Sequence, residues 1–359
     1  MRRILISGYI GFDNFGDEAL LFVLIDNLLE LNIRREDITV LSNNPQLTLE
    51  KFNVRTVNRW NFFEVFNALT ASDYLICIGG IFQDKTSFKS FLYYFLQLFL
   101  AKIFGKLIVL YGVGVGPFLR KASHDLFNYA LQSAEYISVR DTSSKDYITN
   151  NHHVLVTCDP VWGIEPDFSF KEFLPKINWT LPIIGVSLRS DKHFTEQQLK
   201  SLSDKLARTL NTSKDWQIVF IPCMNEEDLP VLYEIYDIVV KKVSESGRIF
   251  LLDNFDSFSV RQQAGILSYC DVMISMRFHA VLLSILGGHP VFGIITDQKI
   301  RSLIEFSKQV GVLVKDDFEH PWNYFWQNIQ YSTEKAKLAK QRAIELNKRN
   351  LQLLQSALS

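Results

Sequence analysis

The chain has 359 residues, more than one hydrophobic core usually serves, so two domains are expected. Its 38 basic and 39 acidic residues nearly cancel, which argues against a dedicated nucleic-acid binder. A hydrophobic fraction of 47% with 28 Phe supports sizeable cores, and the scattered Cys77, Cys158, Cys223 and Cys270 lack C-x-x-C spacing, as fits reduced thiols in a cytoplasmic protein.

From the N-terminus, the run Arg3–Ser7 reads as a strand rather than a secretion signal, because the apolar stretch is too short and leads straight into glycines. Further strands are expected at Ile38–Leu41, Tyr74–Ile78, Leu107–Tyr111, Tyr136–Val139 and Val154–Cys158. The helices between them are Glu18–Leu31, Phe88–Phe104, His124–Ser133 and Ser143–Thr149. Strand–helix alternation of this kind implies a parallel sheet with helices on both faces. The stretch Phe91–Phe104, broken only by Gln97 and Lys102, is too short to span a bilayer; it reads first as a buried helix on the sheet and second as an aromatic face touching a membrane surface.

Residues 159–182 carry Pro160, Pro166, Pro175 and Pro182 and read as the domain connection. A second alternation follows: strands Ile183–Leu188, Gln217–Ile221, Ile249–Leu252 and Val272–Ile274, with helices Gln197–Leu210, Leu229–Val243, Val260–Ser268 and Phe278–Leu286. The expected fold class is α/β, with two Rossmann-like domains facing across a cleft, residues 1–172 and 183–320. A Lys-rich helical segment, 321–359, closes the chain.

Five segments follow predicted strands, where open α/β sheets bind ligands. The loop Gly8-Tyr9-Ile10-Gly11-Phe12-Asp13-Asn14-Phe15-Gly16-Asp17-Glu18 departs from G-x-G-x-x-G, and its acids would repel a pyrophosphate; it suits sugar hydroxyls, unless Asp17 and Glu18 only cap the helix. Gly79-Gly80-Ile81-Phe82-Gln83-Asp84 and Gly112-Val113-Gly114-Val115-Gly116 are either tight strand exits or ligand turns. Arg140, in Ser138-Val139-Arg140-Asp141, and Arg189, after Gly185-Val186-Ser187-Leu188, are cations at strand ends. In Ser275-Met276-Arg277-Phe278-His279-Ala280, followed by Lys299, an imidazole stands between two potential anion-binding cations, the makings of a proton-transfer site. His152-His153 has no third ligand nearby, and there is no D-x-D pair, Walker loop or nucleophile elbow, so no metal site is expected.

Together these segments, with Asp159-Pro160, resemble the polysaccharide pyruvyl transferase family from Gly8 to about Lys299. Ile81 stands where that family often has a third glycine, and Val113 where a glutamine is frequent. The resemblance implies a fold similar to the GT-B glycosyltransferases. It implies transfer of pyruvate from phosphoenolpyruvate, as co-substrate and without a further cofactor, to a cell-wall or capsular glycan precursor, often lipid-linked, at or near the inner face of a membrane.

By motif, His279, Arg140 and Lys299 match functional positions of such enzymes. His279, Arg140 and Asp17 are therefore the expected catalytic residues, and Arg189, Arg277 and Lys299 the expected donor-binding cations. Asp13, Asn14, Gly80, Gln83, Asp84 and Gly112 are expected on the acceptor side. A sugar-nucleotide glycosyltransferase of the same fold and a non-catalytic carbohydrate-binding protein are the alternatives.

Overall fold

The structure, a computed structural model, describes residues 2–149 and 153–359; His152 lies outside them. The chain divides into two compact units, Met1–Gly163 with Ala343–Ser359, and Ile164–Arg342.

The first unit runs β1 (Ile4–Ser7), α1 (Phe15–Glu30), β2 (Ile38–Ser42), α2 (Pro45–Phe52), β3 (Arg55–Asn58), α3 (Phe62–Ala71), β4 (Tyr74–Cys77), α4 (Phe88–Ile103), β5 (Leu107–Val113), α5 (Lys121–Leu131), β6 (Ala134–Val139), α6 (Thr142–Lys145) and β7 (Val154–Val156). The strands form one parallel sheet in the order β3-β2-β1-β4-β5-β6-β7. The inner strands β1 and β4 are continuous apolar runs because helices cover both faces, and every residue in them is buried. Burying each Leu, Ile or Val of these runs contributes about 1.5–3 kcal/mol before chain entropy is counted.

The second unit runs β8 (Ile183–Ser187), α7 (Glu196–Thr212), β9 (Gln217–Phe220), α8 (Asn225–Lys242), β10 (Ile249–Leu251), α9 (Val260–Tyr269), β11 (Val272–Ser275), α10 (Phe278–Gly287), β12 (Val291–Ile295), α11 (Gln298–Ser307), β13 (Val310–Leu313) and α12 (Glu319–Gln327). Its parallel sheet has the order β10-β9-β8-β11-β12-β13. Each unit has its own core, built around Leu5, Leu75, Ile108 and Phe127 in the first and Ile184, Phe220, Ile274 and Phe292 in the second.

The last helix, α13 (Ile329–Leu358), read from the sequence as a separate segment, is shared: its end belongs to the first unit. Buried Asn350 explains the attachment, accepting from the Thr157 hydroxyl at 2.7 Å and donating to the Cys158 carbonyl at 2.9 Å. In α4 the two polar interruptions have local reasons. Gln97 is buried and accepts the Ser7 hydroxyl, and Lys102 donates to the Tyr129 carbonyl.

The structure adds elements that periodicity did not reveal. β3 is a half-exposed edge strand of mixed polarity, and the short α2 before it is half polar and half apolar. In β12 a glycine interrupts the pattern: a Cβ on Gly293 would lie 2.4 Å from Ile304, so glycine there admits α11 onto the sheet. The helix expected over Ser143–Thr149 lasts one turn, capped by Asp141, and Thr149 turns its N–H to Asn128 instead.

Candidate active site

In the first unit the loops after β1, β4, β5, β6 and β7 all leave the carboxyl edge of the sheet, and four of them meet at Arg140. Its backbone N–H binds the Val113 carbonyl, and its guanidinium lies 3.4 Å from Asp141 and 3.9 Å from buried Asp159. A Cβ on Gly114 would fall 2.5 Å from Arg140 Nη2, and one on Gly80 3.6 Å from the same atom. Gly114 thus holds open the space the guanidinium fills, a Cβ on Gly80 would make only ordinary contact, and the Gly114 N–H donates to the Gly79 carbonyl, tying the two turns together. On the other side of this turn, Asp17 Oδ1 is 3.3 Å from the Cβ position of Gly79. Asp17 and Arg140 therefore border the same two-residue turn.

The first loop is arranged differently from a simple acidic cap. Asn14 is the N-cap of α1, accepting the Gly16 N–H at 3.1 Å, while Asp13 is exposed, in a left-handed conformation, 3.6 Å from Lys51. Glu18 turns inward and accepts the Gly11 N–H at 3.0 Å; its other oxygen is buried with no hydrogen-bond partner among the described residues. Burial pushes this carboxyl up to about 7, despite the Gly11 N–H and Lys51. Beneath the loop, buried Arg59 donates to the Gly8 carbonyl at 3.0 Å and to the Tyr94 hydroxyl at 2.9 Å, with its guanidinium over the Tyr93 ring. Sequence reasoning missed Arg59 because it follows β3, the strand whose mixed polarity hid it.

Three acceptor-side candidates have internal duties. Asp84 is buried and accepts from the N–H groups of Leu119 and Arg120 and from the Ser123 hydroxyl. Burial opposes its charge, yet these donors hold the carboxyl below its ordinary range. Gly112 donates its N–H to Ser138 and stands against Pro160, and the Gln83 side chain accepts the Thr86 N–H.

In the second unit β8, β11 and β12 are consecutive in the sheet, with Ser187 opposite Ser275 and Ser275 opposite Gly293. Arg189, His279 and Lys299 thus follow three adjacent strand ends. Arg189 donates to Thr296 at 3.0 Å and Asp297 at 3.4 Å, and Lys299 lies 4.0 Å from the same Asp297, which also caps α11. His279 occupies the first turn of α10, partly buried, with its ring edge-on to Phe278.

Arg277 is placed otherwise. Its Nε donates to both oxygens of fully buried Asp228 at 3.0 and 3.1 Å, and its Nη2 to Asp228 and to Glu227. Burial works against the guanidinium charge, but hydrogen bonding and charge from Asp228 prevail and raise its pKa. No local signal links residues 228 and 277, which meet because β9 and β11 flank β8. Among the described residues no group of three or more His, Cys, Asp or Glu is arranged to hold a metal ion.

Solved structures share this architecture. The UDP-N-acetylglucosamine 2-epimerase of Neisseria meningitidis bound to UDP-GlcNAc has a TM-score of 0.62 at 12% identity, covering 99% of each chain. S. aureus MnaA with UDP has 0.64 at 12%, covering 98% of each, and a glycosyltransferase of Rickettsia africae has 0.62 at 12%, covering 100% of this chain and 99% of its own. At such identity the likeness establishes the fold, a two-domain Rossmann-like α/β architecture of the GT-B kind. No curated protein sequence matches the chain. The family model for polysaccharide pyruvyl transferases matches residues 14–298, from the N-cap of α1 through the Asp297 cluster, and the chain belongs to that family.

Proposed function

We propose that this protein transfers the pyruvyl group of phosphoenolpyruvate to a sugar of a polysaccharide precursor, forming a cyclic ketal and releasing phosphate. The observation that carries the reading is the delivery of Arg189, His279 and Lys299 to adjacent strand ends of one sheet. A small donor with a carboxylate and a phosphate requires paired cations, and its enol carbon requires a proton. Arg189 and Lys299, already oriented by Asp297, bind the two anionic groups. Arg277, held by Asp228 and Glu227, shapes the start of α10 rather than contacting the donor.

His279 protonates the methylene carbon of phosphoenolpyruvate, leaving an oxocarbenium-like C2. A sugar hydroxyl adds to C2 and gives up its proton to a base, and Asp17 is the first unit's candidate for handling acceptor hydroxyls. The C2–O bond to phosphate then breaks with its electron pair, the first hydroxyl's proton leaving on the phosphate, and a second hydroxyl closes the ketal as its proton returns to the His279 imidazole. Arg140, Asp13, Asn14 and the Gly80 turn orient the acceptor. The reaction uses no resident cofactor.

Incubating the protein with phosphoenolpyruvate and a panel of free and lipid-linked glycans tests the reading. Inorganic phosphate release matched by a pyruvyl mass gain on the glycan is expected. Turnover of a UDP-sugar with inert phosphoenolpyruvate would reassign the chain to sugar-nucleotide chemistry, the chemistry named for its structural neighbours.

A further inference from the structure

The first unit carries an apolar rim that its core does not use. Phe62 is 65% exposed, Phe63 76% and Leu119 68%, and Trp60 and Phe88 are exposed as well. These are large side chains for open water, and clustered exposure of this kind marks a contact surface. Their positions share a cause. Trp60, Phe62 and Phe63 follow β3, Phe88 follows β4 and Leu119 follows β5, so all stand at the carboxyl edge that also carries Gly80 and Arg140. Trp60 packs on Tyr93 of α4, the helix that Phe88 opens, so the rim continues along α4 to exposed Leu96.

The charge around Phe88 and Leu119 is mainly basic, while Glu64 is exposed beside Phe63 and Asp125 follows Lys121 on α5. At the carboxyl edge the segments 85–89 and 119–121 carry Lys85, Lys89, Arg120 and Lys121 and no Asp or Glu. Lys85, Lys89 and Lys121 are exposed, and the Arg120 guanidinium lies over the Phe88 ring at 4.7 Å. A second copy of the chain is a poor occupant, because a two-fold contact would set these basic segments against themselves. No described helix is long and apolar enough to cross a membrane, so the aromatic side chains would enter only the interfacial layer.

We propose that the carboxyl edge of the first unit docks on the surface of an anionic bilayer, with Phe62, Phe63 and Leu119 inserted among headgroups and Lys85, Lys89 and Lys121 facing lipid phosphates. Such docking sets the acceptor loops beside the headgroups, where a sugar carried on a lipid is within reach. This last consequence rests on the pyruvyl-transfer reading; the docking does not.

Flotation of the full chain with phosphatidylcholine vesicles, with and without phosphatidylglycerol, tests the docking without any turnover. Binding is expected only with phosphatidylglycerol, and it should weaken as salt rises. The variant Lys85→Glu/Lys89→Glu/Lys121→Glu should bind about a hundredfold more weakly, from roughly fivefold per basic residue at such a surface. Phe62→Ser/Phe63→Ser/Leu119→Ser should lose binding with unchanged thermal unfolding, since these side chains are exposed. Absence of flotation by the wild type overturns the proposal. So does a wild-type dimer in light scattering that the serine variant converts to monomer while vesicle binding stays nil, which would make the rim a homodimer interface.

Discussion

The two carboxyl edges hold their cations by different combinations of space and charge. In the first unit Arg140 fills a slot that Gly114 leaves open, with Asp141 at 3.4 Å and Asp159 at 3.9 Å. In the second unit position comes from charge, with Asp297 orienting Arg189 and Lys299, and Asp228 closing on Arg277. The contrast shows that an arginine at a strand end is not by that fact a ligand-binding group. Its partner decides, and a fully buried carboxylate in multiple contact turns the arginine into part of the scaffold.

The sharpest break of this comparison is Arg277→Ala. It strands the buried Asp228 carboxylate and should cost about 3–5 kcal/mol of stability, measured by denaturant unfolding. Arg189→Ala, whose partner Asp297 is partly solvated, should leave unfolding nearly unchanged and raise KM for phosphoenolpyruvate. Equal losses of stability from the two would erase the distinction between them.

Next in size is His279→Ala, expected to lower kcat about a hundredfold or more with the fold intact, as loss of a general acid does. Steady-state phosphate release reads it, and near-normal turnover would remove the imidazole from the chemistry.

Glu18 sharpens the first edge through pH. Its carboxyl titrates near 7 when folded against an ordinary value of 4.5, so the folded state keeps the proton longer than the unfolded chain. Stability therefore falls as pH rises from about 4.5 to about 7, because the unfolded state is the first to release the proton. Glu18→Gln, which keeps an acceptor for Gly11, should flatten that fall and be roughly 2–3 kcal/mol more stable than wild type above pH 7, by thermal unfolding across pH. A wild-type profile as flat as that of the variant would contradict the buried placement.

The smallest effect expected is from Gly114→Ala. Its Cβ would collide with the Arg140 guanidinium, costing about 1–3 kcal/mol as overpacking and displacing the arginine. Activity should fall toward that of Arg140→Ala while unfolding shifts only modestly. A Gly114→Ala enzyme of full activity would mean that the slot is not what positions the cation.

Much of this molecule was written locally. Apolar runs with helical segments between them announced two parallel sheets, and glycine-rich or charge-bearing turns after those runs located both edges, because strand period and turn chemistry act over a few residues. The chain order of the motifs also carried the family, which the match over residues 14–298 established. Edge strand β3 and the glycine-broken β12 escaped, since half-exposure and a packing glycine blur the period.

Tertiary structure alone decided which partners the charged residues of each motif meet. Asp84 turned out to brace a loop, Glu18 to be a buried acid rather than a cap, and Arg277 to belong to Asp228, while Arg59 came into the site from outside every motif. Each of these outcomes depends on a partner between 7 and 51 residues away. Apart from Glu18, whose partner lies in its own loop, they are set by the order of strands in each sheet, and burial then fixes what each charge must do.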